Sequence, residues 1–286
     1  MRGEGDVSVM ENYRFEVGTF ACLAINDLTR TVPAAGIVTN ISPEEWQRAL
    51  VERGYSPTES VRYCNCLYLQ AGECRVLVDT GWGKGSERGD GALLEHLLAA
   101  GIAPADIDVV VLTHLDGDHV GGITTADGEF VFPNADYVVS DEAWEFWTDE
   151  ARSARMPERQ ALLARRTLSR IQSRLEVVPA EVEFLPGLTL ISAPGHRPGH
   201  VAISVTSEAA TLYHLADAVG HPILMEHPSW HWSFDSWPEQ ADADRRRLLG
   251  LAAERQALVF GSHLPFPGLG HVVPHGEGWR WQPAAG

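Results

Sequence analysis

The stretch Thr113–Gly122, THLDGDHVGG, continues DVVVLTH, a near-continuous β-branched run of the kind that marks a buried strand. Four side chains able to bind a metal, His114, Asp116, Asp118 and His119, crowd into six residues. A loop at the end of a buried strand can fan such side chains toward one point, and Gly121 and Gly122 permit a tight backbone beyond them. Later strand ends each offer another candidate: His200 in APGHRPGH, Asp217 in YHLAD and His263 in FGSHLPFPG. All 12 histidines follow Glu95, so the first strands contribute none.

Working outward, RFEVGTFACLAIND (14–27) reads as two strands joined at Gly18. SPEEWQRALVE, with Ser42 ahead of Glu44 and Glu45, reads as a short helix. NCLYLQAGECRVLVDTGWG holds two strands around Ala71–Gly72–Glu73 and ends in a Thr-Gly-Trp-Gly loop; GALLEHLLAA (91–100) has helical spacing. The second half repeats this grammar. ADYVVS (135–140) is a strand, DEAWEFW a helix start capped by Ser140 or Asp141, and MPERQALLARRTLSRIQSR (156–174) the longest helical pattern. LTLISAPGH, HVAISVT and TLYHLAD are strands, PEQADADRRRLLGLAAERQ is a helix with Pro238 near its first turn, and ALVFGSH closes the series. Strands then helices, twice over, predict two sheets packed face to face with helices outside. No linker divides the halves and both supply ligands, so the expectation is one domain over 1–286, with 1–27 an N-terminal extension and first strands.

The 286 residues carry 22 basic and 39 acidic side chains, a net charge of -17, with 44% hydrophobic residues and 9 Trp. That composition excludes disorder and small disulfide scaffolds, and its charge repels phosphate backbones, so a nucleic-acid partner is not expected. No run reaches the ~18 apolar residues of a membrane span, and MRGEGDVSVMENYRF lacks a secretory pattern. Cys22, Cys64, Cys66 and Cys74 have no metal-type spacing and read as structural thiols, which fits a reduced, cytoplasmic setting.

T-H-x-D-x-D-H-x-G-G, P-G-H-x-P-G-H, a strand ending in Asp and a strand ending in His resemble the metallo-β-lactamase superfamily, from the V-D-T-G at 78–81 to the C-terminus. The ending GSHLPFPGLGHVVPHGEGWRWQP resembles the branch of methyl parathion hydrolase and related lactonases and arylesterases. The resemblance implies a four-layer αββα sandwich of two mixed sheets flanked by helices. It implies two divalent metal ions, zinc first, with His114, Asp116 and His200 at one site, Asp118, His119 and His263 at the other, and Asp217 between them. A metal-bridging hydroxide would then cleave an ester, lactone or related bond of a small apolar substrate, with Asp118 orienting it and shuttling its proton. Dimers are common in that branch, which leaves a homodimer open beside a monomer.

Asp116 departs from the family pattern, which has His there. A carboxylate favours Mn, Fe or Co, and an acidic residue at this position also resembles the di-iron members of the superfamily. Oxygen chemistry and a non-catalytic binding relative are therefore the rival readings. Gly220 stands where acyl-homoserine lactonases commonly carry Tyr, three residues after the bridging Asp. Asp79 and His196 read as residues behind the ligands, orienting them. Trp82, Trp144, Trp147, Trp230, Trp232 and His271 are candidates for the substrate pocket, with Phe146, Phe234 and Trp237 beside them. His214 reads as a core residue, and Arg165, Arg166 and Arg245–Arg247 as solvated helix faces.

Overall fold

A computed structural model of the chain describes residues 12–284; the reading of the N-terminus as leader-free falls on residues outside them. The first sheet runs β1 (Asn12–Val17), β2 (Phe20–Pro33), β3 (Glu59–Ala71), β4 (Cys74–Val78), β5 (Val109–Val111), β6 (Asp136–Ser140) and β7 (Leu175–Val178), in that spatial order. Its first four strands are antiparallel and β4 to β7 are parallel. The second sheet contains β8 (Glu183–Leu185), β9 (Leu188–Ser192), β10 (Val201–Ser207), β11 (Ala210–His214), β12 (Leu258–Phe260), β13 (Leu269–His275) and β14 (Gly278–Pro283), neighbours in sequence order throughout. Only β11 and β12 are parallel there, and α8 (Pro238–Glu254) makes the crossover that a parallel pair requires.

The remaining helices are α1 (Pro43–Glu52), α2 (Leu93–Ala99), α3 (Gly117–Val120), α4 (Asp141–Thr148), α5 (Glu150–Ser153), α6 (Glu158–Ile171) and α7 (Ile223–Glu226). Two caps foreseen from sequence form, since Ser42 Oγ accepts the Glu45 N–H and Ser140 Oγ the Ala143 N–H. Alternation along the strands builds the layers. Leu67, Leu69, Val76 and Val78 meet Leu188, Leu190, Val201 and Ile203 between the sheets. The opposite face of the first sheet, with Tyr68, Leu77 and Val110, packs on Leu97, Ala161, Ala164 and Leu168. Ala202, Tyr213 and Val259 of the second sheet pack on Leu248, Leu249 and Ala252 of α8. The order helix, sheet, sheet, helix is the expected αββα sandwich. Among the described residues no helix is long and apolar enough to cross a membrane.

Two expectations need correction. ALVFGSH does not close the second sheet: β12 is followed by the β13–β14 hairpin, whose strands carry Gly270 and Pro274. Arg245 is not on a solvated face. It is 1% exposed, four residues after Ala241 and three before Leu248 on the buried stripe of α8. Its guanidinium donates to the Ala218, Pro228 and Trp230 carbonyls and pairs with Asp235.

Burial also keeps two histidines neutral. His214, against Phe260 in β11, is lowered to about 4, and His221, between Trp46 and Tyr55, to about 3. The unfolded chain protonates such groups near pH 6.5, so stability is full above that value and is lost as pH falls toward the folded values. Each should cost on the order of 1.4 kcal/mol per pH unit below pH 6.5. Denaturant midpoints measured from pH 7 down to about pH 4.5 should decline, and His214→Phe plus His221→Phe should flatten that slope. An unchanged slope in the double variant would show that these imidazoles are not the groups responsible.

Candidate metal centre

The site forms where β4, β5, β9, β11 and β12 end. Asp79 follows β4 in a left-handed conformation, φ 62°, and its carboxylate accepts the Thr113 N–H at 2.9 Å and Thr113 Oγ1–H at 2.8 Å. The same carboxylate takes the Nδ1–H of His119 at 2.7 Å. The two glycine motifs close on each other here: a Cβ on Gly121 would lie 2.2 Å from the Trp82 carbonyl, and one on Gly122 would lie 2.1 Å from that of Thr80. Only glycine lets the 79–83 loop clamp the helix that carries His119.

Four histidines share one arrangement, with Nδ1 pinned by an oxygen and Nε2 turned inward. His119 is held by Asp79, His114 by Thr113 Oγ1 at 3.1 Å, His196 by Asp235 at 3.0 Å and His263 by the Tyr63 carbonyl at 2.6 Å. Pinning Nδ1–H fixes the tautomer and leaves the Nε2 lone pair for a Lewis acid. These lone pairs face Asp217. Its Oδ1 lies 3.1 Å from His119 Nε2, while its Oδ2 lies 3.0 Å from His263 Nε2 and 3.4 Å from His196 Nε2. His114 Nε2, His119 Nε2, His196 Nε2 and Asp217 Oδ1 are buried without a hydrogen-bond partner. Buried donors and acceptors are ordinarily satisfied, so lone pairs converging in this way fit a cation between them.

Among the described residues the metal-capable atoms fall into three groups within 4.8 Å: His114, Asp116 and His196; Asp118, His119 and His263; and His114, His119 and Asp217. Asp217 thus stands between two triplets. Burial alone would raise its carboxyl, yet His263 and His119 hold it well below the usual carboxylate range. Burial likewise opposes charge on His119, but Asp217, Asp79 and Asp118 raise it well above the usual imidazole value, whereas burial takes His114 well below. The cluster is built for positive charge at the centre.

The structure corrects the choice of His200. That residue donates Nδ1–H to the Ala193 carbonyl at 2.9 Å and accepts the Asp217 N–H on Nε2 at 3.1 Å. Both ring nitrogens are spent, and burial lowers the ring to about 3. His200 positions the Asp217 backbone; His196, the first histidine of P-G-H-R-P-G-H, brings its Nε2 to the cluster instead. Behind His196 stand Asp235 and the buried Arg245, which sequence reasoning missed; the spacing of Arg245 along the apolar stripe of α8 was the available signal.

Asp116 lies 3.9 Å from His114 Nε2 and shares its carboxylate with two other side chains. Arg197 reaches it with Nε and Nη2, each at 2.8 Å from Oδ2, and Gln160 donates to Oδ1 at 2.9 Å. Burial would raise this carboxyl, and Arg197 and His196 hold it below its ordinary value. The Asp in place of His therefore comes with its own counter-ion, one residue after His196.

A cleft of about 650 Å³ opens over the cluster, bordered by Trp82, Trp232, Phe234, Leu163, Arg62 and Arg197. Trp232 stacks on His196 with ring centres 5.2 Å apart. Of the other pocket candidates, Trp147 is buried in the first core and donates to the Pro198 carbonyl at 3.1 Å, and Trp144 packs beside that core. Trp230 belongs to the cluster around α1 and stacks on His227, and His271 sits on the exposed face of β13. None of these four lines the cleft: the period of α4 turns its tryptophans toward the sheet. Asp27, the extra residue of a β2 bulge, was not foreseen; it accepts the Trp82 and Leu93 N–H groups at 2.8 and 3.0 Å and so fixes Trp82.

The family model described as the metallo-beta-lactamase superfamily matches residues 60–280. The chain belongs to the metallo-beta-lactamase superfamily. Within that superfamily it is similar to an N-acyl homoserine lactonase of Bacillus sp, 24% identical over 218 residues that span 69% of this chain and 80% of that one. Metallo-beta-lactamase domain-containing protein 1 of Xenopus laevis is 26% identical over 73% of each chain. Among solved structures, AidC, a dizinc quorum-quenching lactonase in complex with a product, superposes with a TM-score of 0.88 at 26% identity, covering 96% of this chain and 97% of that one. The hydrolase AbOPH shares the fold, with a TM-score of 0.85 at 24% identity over 96% and 98% of the chains.

Proposed function

We propose that this superfamily member is a dinuclear metal-dependent hydrolase that opens an ester, lactone or related bond of a small molecule. The observation that carries this reading is the set of four buried, unpartnered donor atoms converging under an open cleft. His114, Asp116 and His196 would hold one cation and Asp118, His119 and His263 the other, with Asp217 shared. The pair supplies Lewis acidity and an acidified water when bound. The imidazole-rich set favours zinc, and the Arg197 counter-ion offsets the hardness that Asp116 would otherwise bring to its site. Because Asp116 shares its carboxylate with Arg197 and Gln160, the site it serves is the weaker one, and oxygen chemistry built on Asp116 as an iron ligand is disfavoured.

Asp118 stands at the cleft floor, Oδ2 3.6 Å from His263 Nε2, with a fifth of its side chain exposed. It takes up the proton released as water adds to the scissile carbonyl and passes it to the leaving oxygen. Trp82, Trp232 and Phe234 pack on the apolar part of the substrate and exclude water. A Cβ on Gly220 would lie 2.2 Å from the Trp232 ring, so a Tyr has no room where acyl-homoserine lactonases commonly carry one. The small molecule is therefore held differently from a quorum signal in those enzymes.

Chelator-treated protein should turn over no lactone, aryl ester or phosphotriester of a broad panel, and zinc, manganese, cobalt or ferrous ion added singly should restore turnover. Activity indifferent to chelation would contradict the proposal. Ligand binding without turnover of any substrate under any metal would favour the non-catalytic reading.

A further inference from the structure

Strands β2 and β3 run past the sheet and wall the cleft. Leu28, Arg30 and Val32, alternate residues of β2, line it, as do Arg62 and Cys64 of β3. In the register of this antiparallel pair, Arg30 lies directly opposite Arg62. Like charges at opposed positions destabilise a sheet, and a chain of net charge -17 has no shortage of carboxylates to place between them. Among the described residues none is placed there for Arg62. Its Nη1 is buried with no hydrogen-bond partner, and Asp217 and Asp118 act on it only from a distance. The guanidinium carbon instead sits over two aromatic rings, 5.1 Å from the Trp232 ring centre and 5.0 Å from that of Phe234. Arg30 rests 5.9 Å from the Trp82 ring.

A guanidinium that is pinned, desolvated and short of a hydrogen-bond acceptor is prepared for an anion that enters from outside. Cations held by Asp118 and Asp217 would remove the two negative charges that partly offset it, so its need for an anion grows in the loaded protein. Trp232 fixes the spacing, since the ring that meets Arg62 also stacks on His196. We propose that Arg30 and Arg62 form an anion subsite, and that the substrate carries an acid group a short chain away from the bond that is cleaved. This deepens the hydrolase reading and rests on it for the reaction, though not for anion binding. It also modifies the expectation of an apolar substrate: the apolar walls flank a charged end.

The test uses matched aryl esters whose acyl chains end in methyl, carboxylate or phosphonate, with benzenesulfonate, a poor metal ligand, as the binding probe in calorimetry. The metal-loaded protein should prefer an acidic ester over the methyl one, and whichever acid is preferred names the group. In Arg62→Met the ratio of the two kcat/KM values should fall about 10- to 100-fold, the effect of one lost charge-assisted hydrogen bond. Arg62→Lys should recover part of the ratio, Arg30→Met should lower it, and benzenesulfonate affinity should move in parallel. Turnover of the methyl ester with no acid preference and no sulfonate binding would overturn the subsite alone. Arg62-dependent sulfonate binding with no turnover of any ester would uphold the subsite and overturn the hydrolase reading. A preference that survives both Arg62→Met and Arg30→Met would overturn the assignment to this pair.

Discussion

Asp217→Ala should release bound metal and lower turnover by more than about 100-fold, beyond the range expected when only a residue behind a ligand is lost. The carboxylate is buried, its Oδ1 has no hydrogen bond, and both oxygens face imidazole nitrogens of two different triplets. Removing it leaves His119, His196 and His263 without the charge that balances a cation between them. His119→Ala should act in the same direction, since Asp79 and Thr113 exist around it to aim its Nε2. Metal content and initial rates measured on the same preparations check this. Either variant with normal metal and full turnover would show that the cluster has been misread.

The second large effect separates two histidines four residues apart. His196→Ala should lose one metal and more than about 100-fold in turnover, because its Nε2 faces the centre unpartnered. His200→Ala should instead lose about 2–4 kcal/mol of stability from its two buried hydrogen bonds and its packing. Its metal affinity should fall by no more than about 10- to 100-fold, through the loosened Asp217 backbone. Denaturant midpoints and metal titrations of both variants decide the matter. The reverse pattern, with His200→Ala losing metal and His196→Ala losing only stability, would restore the ligand set read from the sequence.

That reversal shows where the sequence was legible. The buried strand ending in THLDGDHVGG located the site, because a valine run and a polar, glycine-flanked cluster are local signals. Period-two strands and capped helices gave the layers in the same way. P-G-H-R-P-G-H contains two equivalent histidines in a loop, and nothing local says which ring nitrogen meets a backbone N–H. That depends on β11 arriving beside it, a contact between residues 17 apart. The Asp116–Arg197 pair spans 81 residues and is legible only if the unusual Asp is matched with the unusual Arg after His196. The tryptophans of α4 were misplaced because aromatic character near ligands says less than helical phase. Arg245 was misplaced because a run of three arginines hides the one that continues the apolar stripe.

The measurement that bears most directly on this account is the metal-to-protein ratio of chain purified without chelator or added metal, with the His196→Ala and Asp217→Ala variants beside it. The wild type should hold close to two divalent ions per chain, His196→Ala fewer and Asp217→Ala almost none. A wild-type chain that holds no metal, and takes up none when zinc is supplied, would contradict it.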